Sequence, residues 1–164
     1  MADSGLWRGD QVDICCFARL KEEHEAMLER LNECLRPLAE IRDKQRHPPI
    51  NPDEAVQSFL QWTQREFLPH LQAEQDLCRP VLTIHAAGEP LYRQMLADHR
   101  KLRELAQQAR EEMLLLQNED SIREDWWNTL DLACVWSFQR AMAEHVDCEN
   151  REIFPKAIAL QVKE

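Results

Sequence analysis

Two short phrases, "HLQAE" from His70 to Glu74 and "HVDCE" from His145 to Glu149, each set a histidine and a glutamate four residues apart. Each is followed, six residues after its glutamate, by a proline, Pro80 or Pro155. The phrases are 75 residues apart, and so are His24 and His99. With six histidines in 164 residues, about one in 27, two histidine matches at one offset are not what chance supplies. The apolar residues between them match much less well, so the polar positions carry the repeat. Such a chain has two halves of one design, each offering a lone histidine and then a histidine with a glutamate.

The local pattern is helical. A spacing of four puts both side chains of a phrase on one helix face, about 6 Å apart along the axis. A first run covers roughly residues 12–46, with Leu20, His24, Met27, Leu31 and Leu38 at three- and four-residue steps and Pro37 where a kink is expected. "HPPINP" breaks the chain; Asn51 can cap the next helix, with Pro52 at its first position and Glu54 three past the cap. The second face runs Val56, Phe59, Thr63, Phe67, His70, Glu74, Leu77, and "HAAGEP" ends it with Gly88 as a C-terminal stop. The third, from near Pro90, runs Met95, His99, Leu102, Ala106, Ala109, Met113, Leu116. After "QNEDS", Ser121 and Glu124 form a capping box, and the fourth face reads Leu130, Cys134, Phe138, Ala141, His145, Glu149.

Only three glycines, 30% charged residues and no useful alternating run favour long helices over strands. The expected fold is all-α: an up-down-up-down four-helix bundle with an internal two-fold repeat over residues 12–164, preceded by a tail, 1–11.

The net charge of −10 argues against nucleic acid as a partner, because phosphate binding needs clustered Lys and Arg. "MADSGLWRGDQV" lacks the apolar core of a signal peptide, and no apolar stretch of about 18 residues offers a membrane span. The expected location is the cytoplasm. The six cysteines form no C-x-x-C pair, and in that compartment they are expected to be reduced, several of them buried. Cys78, one turn beyond Glu74, reads as a packing residue rather than a sensor of oxidation. His47 and His85 fall in the breaks and read as solvated; Trp62, Trp126, Trp127, Trp136 and Tyr92 read as packing residues.

Each helix places a histidine in its apolar seam. One seam histidine is more often a hydrogen-bonded core residue than a ligand. Four imidazoles and two carboxylates at one level are different, because burying them without partners would cost several kcal/mol. A metal removes that cost, since neutral imidazole and ionised carboxylate are what it binds. Six donors exceed the four of a usual zinc site. Two divalent ions, or two trivalent ions with an oxide bridge, leave the same formal charge against two glutamates, so one cage suits a reduced and an oxidised iron pair. The donor set therefore reads as two irons, oxo- or hydroxo-bridged, about 3.5–4 Å apart and spanned by both glutamates, with zinc or manganese less favoured.

"EEHEAML" around His24, "HLQAEQDLCRP" from His70, "LADHRKL" around His99 and "HVDCENREIFP" from His145 together resemble the hemerythrin-like family, or HHE cation-binding domains, over nearly the whole chain. The resemblance implies that His24, His70, His99 and His145 are terminal iron ligands and that Glu74 and Glu149 bridge. The oxygen carriers of that family have a further histidine one turn after the third-helix ligand, where this chain has Arg103, and a histidine–aspartate pair at spacing five in place of His145 and Glu149. The symmetric set is closer to the bacterial repair-of-iron-centres proteins. The resemblance thus implies a non-haem di-iron protein that binds or senses oxygen, nitric oxide or peroxide, with azide as a further small ligand. An iron-donating repair module and a di-iron oxidase or peroxidase are the alternatives. The E-x-x-H motif of ferritin-like oxidases is absent from this site. No sequence feature identifies a protein partner.

Overall fold

The computed structural model describes residues 14–43, 52–118 and 132–161. Four helices make up nearly all of them, with no strand among the described residues. Helix α1 is Ile14–Arg42 and runs through Pro37 without a break in its helical assignment. Helix α2, residues 52–84, consists of Pro52–Trp62, a wide π turn at Thr63–Phe67, and Leu68–Ile84. Helix α3 is Glu89–Asn118. Helix α4, residues 133–161, consists of Ala133–Cys148, a second π turn at Glu149–Ile153, and Phe154–Gln161. None of these helices is long and apolar enough to cross a membrane.

The faces expected for the first three helices are the buried ones. Leu20, His24, Met27, Leu31 and Leu38 of α1 are buried, as are all seven positions from Val56 to Leu77 on α2 and those from Met95 to Met113 on α3. The fourth face needs correction. Cys134 and Ala141 are only half-buried, and the inner stripe is Val135, Phe138, Met142, His145, Val146 and Glu149. From His145 the stripe steps back three, four and three residues, to 142, 138 and 135; steps of three and four admit this phase as readily as the expected one through 141, 138 and 134.

The start of this helix also differs from expectation. The helix carrying His145 begins at Ala133, after a non-helical Leu132. Its first free N–H groups are satisfied from α3, where the Glu112 carboxylate accepts from Cys134 at 3.2 Å and from Val135 at 2.9 Å. The tail, His47, Asn51, the Ser121–Glu124 capping box, Trp126, Trp127 and Leu130 lie outside the described residues.

Two apolar clusters divide the bundle. The larger takes Met27 to Leu38, Val56 to Leu71, Leu102 to Met113 and Leu132 to Val146. The smaller takes Phe17 and Leu20, Leu77 to Leu82, Met95, and Ile153 to Ala157. The start of α1 and α3 therefore shares one end with the finish of α2 and α4, which is the up-down-up-down arrangement. The six seam residues with ionisable side chains sit between the two clusters, as a polar layer inside an apolar core.

Candidate metal centre

The two halves deliver their side chains to this layer in the same way. α1 and α3 each bring one histidine; α2 and α4 each bring a histidine and, one turn later, a glutamate. His24, His99, Glu74 and Glu149 are fully buried, and His70 and His145 are 6% and 5% exposed. All six expected site residues are thus brought together.

Glu74 is the hub. Its Oε1 lies 2.5 Å from His24 Nε2 and 2.9 Å from His70 Nε2. Its Oε2 lies 3.2 Å from His99 Nε2 and 3.8 Å from His145 Nε2. One carboxylate therefore faces the imidazole pair of the first half with one oxygen and that of the second half with the other. The rings pair the same way, His24 with His70 at 4.9 Å and His99 with His145 at 5.0 Å between centroids, both edge to face. Glu149 spans the pairs from the other side, with Oε1 3.3 Å from His99 and Oε2 3.4 Å from His24 and 3.5 Å from His145. Among the described residues, the donor atoms of His24, Glu74, His145 and Glu149 lie within 4.8 Å of one another; His70 and His99 join through the carboxylates.

The electrostatics follow from burial. Burial alone would lower the His24 pKa, but Glu149 and Glu74 outweigh it and raise it to about 10; the same opposition raises His99 to about 9. Burial would raise the Glu74 pKa, yet the four surrounding imidazoles hold it well below the usual carboxylate range. The layer attracts positive charge strongly, whether as protons or as a cation. Protons leave it incompletely served: His70 Nε2, Glu74 Oε2, both ring nitrogens of His145 and Glu149 Oε2 are buried without a hydrogen bond. Such convergent, orphaned nitrogen and carboxylate donors fit a metal ion.

Outside the layer stand residues that the sequence reading did not single out. His24 Nδ1–H donates to Asn150 Oδ1 at 3.1 Å, and His70 Nδ1–H to Glu23 Oε2 at 3.1 Å. The Gln75 amide nitrogen is 2.9 Å from His99 Nδ1; with the amide turned over, its oxygen accepts the Nδ1–H instead. Outward donation from Nδ1 leaves the Nε2 lone pair facing the layer. The signal for these residues was the repeat itself. Gln75 and Asn150 follow the two glutamates, and Glu23 and Asp98 precede His24 and His99.

Cys78 is fully buried, and burial together with the charges of Glu149 and Glu74 raises its pKa, which suits packing and not a reactive thiolate. Arg103 is half-buried and makes no ion pair with either glutamate among the described residues. His85 ends α2 in an extended conformation, away from the layer.

A family model described as the hemerythrin HHE cation binding domain matches residues 17–157 of this chain. No curated protein and no solved structure gives a match.

Proposed function

Because the chain belongs to the hemerythrin HHE cation-binding family, we propose that it is a non-haem di-iron protein that binds or senses small oxidants such as oxygen, nitric oxide or peroxide. The observation that carries this reading is the division of Glu74, one oxygen toward His24 and His70, the other toward His99 and His145. A carboxylate so placed is suited to span two ions, each held by two imidazoles, with Glu149 as a second span. A bound iron pair would supply reversible one- and two-electron chemistry and coordination positions for a small ligand.

The protein's own part is to orient and to exclude. Asn150 and Glu23 hold His24 and His70 by their outer nitrogens. The apolar clusters on both sides keep bulk water from the carboxylates and so strengthen their hold on a cation. Arg103 has no lone pair to offer, so it cannot act as a fifth nitrogen ligand. An open coordination position is the result this reading expects.

Metal analysis of anaerobically purified protein, with an absorption spectrum, tests the proposal. Two ions per chain, chiefly iron, are expected; one zinc per chain with no uptake of a second ion would overturn it. Azide should perturb the spectrum of the oxidised protein and nitric oxide should bind the reduced form. Silence toward both would remove the small-ligand reading while leaving metal binding intact.

A further inference from the structure

Two surface grooves flank the polar layer, and the 75-residue offset relates them. One, of about 310 Å³ between α1 and α2, is lined by Glu23, Ala26, His70 and Ala73 among others. The other, of about 190 Å³ between α3 and α4, is lined at the corresponding positions by Asp98, Lys101, His145 and Cys148. In the first groove Glu23 meets His70 Nδ1 directly. In the second, His145 Nδ1 is buried without a partner, the one outer nitrogen of the four imidazoles left so.

At the position of Glu23 the second groove has Asp98. An aspartate is one methylene shorter, about 1.5 Å of reach. The second groove has room for a water, which occupies about 30 Å³. We propose that Asp98 is the outer carboxylate of His145, linked to its Nδ1–H through one water, and that this longer link makes the His99/His145 end of the centre the first to release its metal. A directly bonded carboxylate fixes the ring and raises the basicity of Nε2; a water relays that effect only in part. The inference rests on reading the six residues as a two-metal centre, and its test separates the two.

The test loads the protein anaerobically with ferrous iron and follows release to a ferrous chelator. Wild-type protein should release two ions in two equal phases. D98E, long enough for direct contact, should slow the fast phase by roughly 10-fold, and D98A should quicken it. E23D should quicken the slow phase, and E144Q, on the exposed side of the second groove, should change neither. A single phase for both ions, or two phases that ignore D98E and D98A, would overturn the role of Asp98 and leave the two-metal centre standing. Uptake of fewer than two ions by the wild type would overturn the two-metal reading, and this inference with it.

Discussion

His70 and His145 enter the layer from the two helices that also carry the glutamates, and each faces Glu74 through Nε2. Replacing either with alanine removes a donor and leaves a carboxylate oxygen more exposed to unpaired burial. His70→Ala and His145→Ala should therefore lose bound metal, while His85→Ala and His47→Ala should keep it, as elemental analysis of the four variants will show. Acidity acts on the same groups. The raised pKa values of His24 and His99 contribute stability to metal-free protein that is full below 6.5 and lost as pH rises through about 9 to 10. The lowered pKa of Glu74 contributes stability present above 4.5 and lost as pH falls below it. Thermal melts of metal-free protein should thus peak between these limits; a melting temperature that climbs from pH 6.5 to 9.5 would contradict the assignment. The seam histidines were legible because a polar residue in an apolar seam stands out. Their outer partners were not, because a glutamate or glutamine on a helix is ordinary until its neighbour is known.

At the scale of helices, the π turns break the symmetry that the repeat sets up. Leu68 N–H bonds Thr63 O and Phe154 N–H bonds Glu149 O, each five residues back, and a proline follows at once, Pro69 or Pro155. A proline ring collides with the carbonyl four residues earlier, and a widened turn relieves that collision. Pro37 and Pro80 sit in ordinary α-helix, so a π turn is one solution among others. The consequence for the site is local. After Glu74 the buried residues are Leu77, Cys78, Val81 and Leu82; after Glu149 they are Ile153, Phe154 and Ala157. The rotated face brings Phe154 flat against His24, 5.5 Å between centroids and 14° from parallel. Gly88 shows a second element-level device. The sequence pointed to it as the stop of α2, but that helix ends at Ile84 with His85 as its cap, and Gly88 stands just before α3. Its requirement is closeness, since a Cβ there would stand 2.3 Å from Leu82 O. Gly88→Ala should destabilise the bundle by about 1–3 kcal/mol in denaturant melts, the usual cost of forcing atoms into filled space. A loss under a few tenths would show that the α2–α3 turn can yield.

Across the whole molecule, the polar layer is the weak plane of an otherwise apolar bundle. The larger cluster carries an aromatic knot in which Phe138 meets Phe59, Trp62 and Phe67 edge to face at 5.2–6.1 Å. The smaller cluster lies beyond the layer, so apolar packing between the two ends is interrupted by four imidazoles and two carboxylates. A metal that binds the folded bundle tightens that plane. Ligand at 100 times its dissociation constant contributes about 2.7 kcal/mol. Chelation should therefore lower the melting temperature and added metal should restore it. Identical melts with and without stoichiometric metal would show that the layer is indifferent to its cation.

Periodicity alone determined the helical class, three of the four buried faces and the membership of the polar layer, because a 3.6-residue repeat and a 75-residue offset are properties of the chain. What the tertiary structure decided depends on distances between helices. It divided Glu74 between two imidazole pairs, capped α4 with Glu112 from α3, and rotated Phe154 onto His24. No local pattern encodes these, because each joins residues far apart in the chain or turns on a single widened helical turn. The stripe of α4 was misread because steps of three and four back from His145 fit either Ala141 and Cys134 or Met142 and Val135, and only packing against the other helices chooses between them.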